Sequence, residues 1–169
     1  KTVLFVGRLV KKKGLELILD GAARLRETRP DIRYVLVVGS PEYAKIIDRF
    51  EAQLDRLGLR DIVEIRWSVP ENDLPADLFV APSSGYESLP TVLLESMACG
   101  TPVLTTRAWG TVEALQDDRM LLATRELDEY CGKLVDLLDN PPAPDHLRSL
   151  VSDIDWPLQT EKYLALFLK

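Results

Sequence analysis

Histidine and cysteine are nearly missing from this chain. His146 is its one histidine, and Cys99 and Cys131 are its two cysteines. Neither cysteine sits in a metal-ligand spacing, so a zinc site and a disulfide framework are both excluded as organising features. Long apolar runs are also lacking. None approaches the ~18 residues that a membrane span needs, and no signal-peptide pattern opens the chain. A reducing, cytoplasmic setting is the resulting expectation. Positive charge is in deficit: 21 Lys and Arg face 27 Asp and Glu, a net charge of -6. That balance argues against a nucleic-acid or acidic-membrane partner for the domain as a whole. An anionic ligand must then be held by a local site. No G-x-G-x-x-G follows the first apolar run, which speaks against a nicotinamide-dependent dehydrogenase. Internal repeats and low-complexity segments are absent.

What is present reads as one soluble globular domain over 1–169. The length can bury a sizeable core, and 46% hydrophobic with 28% charged residues is an ordinary globular balance. Short apolar runs read as buried parallel strands at Thr2 to Val6, Tyr34 to Val38, Ile62 to Trp67, Leu78 to Ala81, Pro102 to Thr105 and Met120 to Ala123. Helical stripes lie between them. One carries Leu15, Ile18, Leu19, Ala22 and Leu25. A second carries Tyr43, Ile46, Ile47, Phe50, Leu54 and Leu57 and stops at Gly58. A third runs from Glu126 to Leu138. After the breaker Asn140-Pro141-Pro142-Ala143-Pro144, an amphipathic helix is expected again over Trp156 to Leu168. Strands alternating with helices imply an α/β fold, a doubly wound parallel sheet of Rossmann type. Ligands of such sheets bind at the carboxyl ends of the strands, where the first and fourth strands are neighbours in the common order. Arg8 follows the first strand and Glu87 the fourth, so both are expected on that rim.

The richest stretch is Ser83 to Thr101. It holds Glu87 and Glu95 with seven residues between them. Glu87 lies in a Ser/Gly/Tyr segment, Glu95 among Val92, Leu93, Leu94 and Met97. Pro90 suits the first helical position and Gly100 the helix end. The amides of Thr91 and Val92 then stand at a positive helix terminus, where a phosphate is stabilised. Near the start, Gly7-Arg8-Leu9-Val10-Lys11-Lys12-Lys13-Gly14 puts four cations in one loop. Taken alone, that loop reads as a solvated helix start, and the glutamate pair as carboxylates near a helix N-terminus.

Together, the two stretches resemble the family 4 retaining glycosyltransferases of GT-B fold. The glutamate spacing followed by L-L-E-S-M-A-C-G-T-P-V is similar to the family's E-G-F-G-x-x-x-x-E-A-M-A-x-G-x-P-V. The first loop is similar to its G-R-L-x-x-x-K-G. Ser88, Leu89 and Pro90 stand where Gly-Phe-Gly is common, and Gly39-Ser40-Pro41 lacks one glycine of the usual G-x-G. The resemblance covers the C-terminal, donor-binding half of such enzymes. It implies that Arg8 and Lys13 stabilise the departing diphosphate, with Glu87 lying near the donor sugar as the third catalytic-site residue. Glu95 would accept hydrogen bonds from ribose hydroxyls. Gly7, Leu89, Thr91 and Val92 would complete the substrate-binding set, while Lys11 and Lys12 remain solvated.

The implied function is transfer of a hexose from a nucleoside-diphosphate sugar, with retention, no metal and no cofactor. An N-terminal acceptor-binding domain would be the missing partner, with 156–169 a closing helix leaning toward it, and the isolated domain is expected to be inactive in transfer. Nothing in the sequence indicates peripheral membrane contact by such an enzyme. The alternative is a non-catalytic nucleotide-binding or regulatory module of the same fold. Cys99 is expected to be a small buried residue and His146 a surface one.

Overall fold

The computed structural model describes residues 1–39, 44–67, 76–84 and 90–154, without the side chains of 44–47 and 67. Six strands form one sheet: β1 Thr2–Gly7, β2 Arg33–Val38, β3 Val63–Trp67, β4 Leu78–Ala81, β5 Val103–Thr106 and β6 Leu121–Leu122. Their order is β3-β2-β1-β4-β5-β6, and every pairing is parallel. The strands are parallel because helices cover both faces, which is why they read as continuous apolar runs and not as alternation. Val3, Leu4 and Phe5 are buried in succession, as are Leu78 to Ala81. Six helices are described: α1 Leu15–Leu25, α2 Ala44–Leu57, α3 Thr91–Ala98, α4 Trp109–Leu115, α5 Leu127–Asp139 and α6 Pro144–Val151. Helix α1 packs with α5, and α3 packs with α6. The order reverses between β1 and β4, so the crevice for a ligand opens above those two strands.

The expected strands and helices are all found where they are described, with small shifts of physical origin. Ile62 stays outside β3 because its amide turns back to the Leu59 carbonyl at 3.0 Å. Met120 belongs to a turn over Asp118–Met120, whose start is held by the Asp117 carboxylate accepting from the Arg119 amide at 2.9 Å. Helix α2 buries Phe50 and Leu54 as its stripe implies. The inward positions Tyr43, Ile46 and Ile47 lie outside the described side chains, as does the whole closing helix expected over 156–169.

Two helices were not legible in the sequence. In α4 the expected cap position holds Ala108, which has no side-chain acceptor. The job falls to Thr111 inside the helix, whose hydroxyl accepts the Ala108 amide at 2.8 Å and donates to carbonyls in its reach, Thr106 or Ala108, both at 3.0 Å. Helix α6 begins on Pro144, within the proline cluster that reads as a breaker; a first-turn proline has no amide to waste. It is held by Leu147, fully buried. Cys99 is a correction: it is exposed, not buried. It caps α3, and its carbonyl accepts from the Arg148 guanidinium at 3.4 Å.

Candidate functional site

The site is built from the loop after β1 and the loop after β4. Gly7 is the last residue of β1, paired with Val38. Arg8 follows and is exposed, and among the described residues no side chain pairs with it. Buried Leu9 anchors the loop from beneath. Lys11–Lys13 then form one tight turn, closed by the Lys13 amide on the Val10 carbonyl at 2.9 Å. Lys11 and Lys12 point to solvent, and Lys13 is half-buried.

Gly14 ends the turn and starts α1 with φ of 78°. Only glycine takes that conformation without strain. It is also packed: a Cβ on Gly14 would sit 1.9 Å from the Pro82 carbonyl oxygen. Beside this contact, the Ser84 amide donates to the Lys12 carbonyl at 2.7 Å. The basic turn is therefore fastened by its backbone to the chain leaving β4. From the other side, the Thr106 hydroxyl donates to the Ser83 carbonyl at 2.8 Å, and the Thr105 hydroxyl to the Ala81 carbonyl at 2.9 Å. Glu87 and Leu89 follow Ser84 in the sequence. Those two residues themselves lie outside the described residues.

Pro90 is the N-cap of α3 and not its first helical residue (φ -66°, ψ 121°). The Leu93 amide returns to the Pro90 carbonyl at 3.0 Å. Thr91, exposed, and Val92, half-buried, precede it, and their amides have no carbonyl of this helix within reach. The helix end is equally defined. The Gly100 amide donates to Met97 at 2.8 Å and the Thr101 amide to Ser96 at 3.0 Å, with Gly100 at φ of 80°. This double closure satisfies the last carbonyls and fixes the helix length. Glu95, one turn inside α3, is exposed, and no described side chain pairs with it. Its apolar neighbours Leu93 and Met97 point into the core.

Sequence reasoning passed over Arg125. Its guanidinium Nε donates to the Pro82 carbonyl at 3.3 Å, adding a cation to the same rim. The rule that ligands meet strand carboxyl ends would have found it, since it follows β6. Its loop is braced by Glu129, which accepts from the Ala123 amide (2.8 Å), the Thr124 amide (2.7 Å) and the Thr124 hydroxyl (2.6 Å). Burial opposes ionisation of Glu129, but those donors and Lys133 outweigh it and hold the carboxyl below its ordinary range. A chain of net charge -6 thus gathers Arg8, Lys13 and Arg125 along one edge. Among the described residues no three His, Cys, Asp or Glu side chains form a metal-binding group. No described helix is long and apolar enough to cross a membrane.

Residues 1–150 match the family model described as glycosyl transferases group 1. The chain belongs to the group 1 glycosyl transferases. Among relatives of this group 1 domain, the mannosylfructose-phosphate synthase of Agrobacterium fabrum is 36% identical over 138 residues, 76% of this chain and 30% of the synthase. A D-inositol 3-phosphate glycosyltransferase of an Arthrobacter strain is 35% identical over 147 residues, 82% of this chain and 34% of that protein. The fold is that of the GT-B transferases. Anabaena HepE, solved in complex with UDP and glucose, superposes with a TM-score of 0.82 at 22% identity, over 99% of this chain and 47% of that one. The group 1 domain spans less than half the length of each of these proteins.

Proposed function

We propose that this chain is the donor-binding half of a retaining glycosyltransferase that takes a nucleoside-diphosphate sugar and needs no metal. The observation that carries the reading is the seam between the two loops: Ser84 bonded to Lys12 beside Gly14 packed on Pro82. It sets the Arg8–Lys13 loop against the chain that leads to Glu87 and to the N-terminus of α3. A diphosphate placed there meets Arg8, Lys13 and the amides of Thr91 and Val92. Charge grows on that diphosphate as the bond from its oxygen to the sugar C1 breaks. Fixed cations and amides aimed at that charge lower the barrier without reorganising. Arg8 can grip two oxygens at once, while Lys13 supplies a point charge. The acceptor oxygen attacks C1 from the face the phosphate leaves, and its proton passes to the departing phosphate oxygen. No separate base is then required. The relatives' names, a sugar-phosphate synthase and an inositol-phosphate glycosyltransferase, and the UDP complex of HepE support this reading. The remaining length of such enzymes would supply the acceptor domain.

The two glutamates divide the donor between them in this account, with Glu95 on the ribose and Glu87 near the sugar. Glu95→Ala is expected to weaken UDP and a UDP-sugar by similar factors. Losing a carboxylate that holds two hydroxyls corresponds to about 1–3 kcal/mol. Glu87→Ala should spare UDP and act on the UDP-sugar. Calorimetric titration of each variant with the matched pair decides this; equal damage to plain UDP from both changes would refute the division.

A further inference from the structure

We infer that the mouth of β5, around Trp109, binds a neutral carbohydrate ring beside the diphosphate; the proposal rests on the donor-site reading above for its neighbour but not for its own chemistry. Trp109 is 86% exposed and Val112 39% exposed. With Arg107 and Ala108 they line an open cavity of about 330 Å³. Nothing in the core requires an indole there, since α4 is held by Thr111, Ala114 and Leu115. The position is the informative part. Strand β1 pairs Leu4 with Phe79, and β4 pairs Phe79 with Val103. Continuing both registers brings Gly7, Pro82 and Thr106 level, and one residue on, Arg8, Ser83 and Arg107. Two strand spacings separate the first from the last, about 10 Å. The Trp109 cavity is therefore on the ligand rim, next to the proposed diphosphate site and tied to the chain leaving β4 by the bond from Thr106 to Ser83.

The lining chooses the ligand class. An indole face and a valine offer a flat apolar surface, which suits the axial C–H face of a pyranose. Arg107 supplies donors for hydroxyls, but its charge is already matched: Nη2 meets the Asp118 carboxylate at 2.5 Å. A guanidinium so paired keeps spare N–H groups for hydroxyls, and the Asp118 carboxylate beside it opposes a second anion. The cavity thus favours a neutral, hydroxyl-bearing ring over a sugar phosphate. That ring belongs either to the donor hexose or to a sugar acceptor.

The chain has three tryptophans, so its indole N–H resonances are few, and a Trp109→Phe variant assigns the one of interest. The test follows that resonance by NMR during titration with UDP, UDP-glucose, methyl α-glucoside, methyl α-mannoside and glucose-6-phosphate. A shift with UDP-glucose but not with UDP identifies the donor ring. A shift with a methyl glycoside identifies an acceptor ring. In either case Trp109→Ala should weaken that ligand on the order of fivefold, as loss of one aromatic contact does, and leave UDP affinity unchanged; Trp109→Phe should retain most of it. A resonance that stays still with every sugar, or that moves only with glucose-6-phosphate, overturns the inference. Failure of UDP to bind overturns the donor site instead, and the glycoside titrations still decide the cavity.

Discussion

Gly14→Ala should be the most damaging single-methyl change in this domain. Two independent penalties meet at that position. The backbone φ of 78° is strained for any residue with a Cβ, and the new carbon would sit 1.9 Å from the Pro82 carbonyl oxygen. Backbone strain alone costs on the order of 1–3 kcal/mol. The overlap cannot be relieved by a side-chain rotation, because its partner is main chain. A total loss of about 3–5 kcal/mol is expected, at the upper end of what single substitutions do. Gly132→Ala is the control. It lies in α5 with nothing within 4 Å of the new Cβ, so a gain of roughly 0.5–1 kcal/mol is expected from helix preference. Urea or thermal unfolding followed by circular dichroism gives both numbers. Near-identical stability of the Gly14 variant and the parent would mean that the basic turn does not rest on the β4 exit.

Arg8→Ala and Lys13→Ala should each lower nucleoside-diphosphate affinity tenfold or more. A charge-assisted hydrogen bond is worth about 1.5–3 kcal/mol, and tenfold corresponds to about 1.4. Lys11→Ala and Lys12→Ala should change affinity little, since both side chains are in solvent and Lys12 contributes its carbonyl, which alanine keeps. The contrast separates a site from a field. A chain carrying -6 has no general attraction for anions, so a diffuse effect of all four cations would also be strongly salt-dependent. Equal losses in the four variants, measured by calorimetry at one ionic strength, would remove Arg8 and Lys13 from their assigned roles.

The sheet was legible because parallel strands covered on both faces carry no alternation to misread. Leu78 to Ala81 is a strand at the boundaries its apolar run implies. The strand order then followed from a general rule, and with it the rim on which Arg8 lies. Local chemistry was less legible where the stabilising group stands off its usual position. Helix α4 is started by Thr111 from within, and α6 by a proline inside a cluster that looks like a break. Cys99 misled for a related reason: cysteine is usually buried, but this one sits at the cap that ends α3. The seam that joins the two motifs lies beyond any local pattern, because Ser84 and Lys12 are 72 residues apart. Arg125 was missed in the same way. It reaches the site through the Pro82 carbonyl, 43 residues earlier in the chain.

An acidic domain that holds a diphosphate through its own cations needs no metal to do so. Isothermal titration of the chain with UDP, GDP and ADP in EDTA, repeated after magnesium or manganese is added in excess, tests this directly. At least one nucleotide should bind in the chelator with an affinity that the metal leaves unchanged, and the Arg8→Ala, Lys13→Ala double variant should lose that binding. Binding that appears only with metal, or no binding by any of the three, would contradict it.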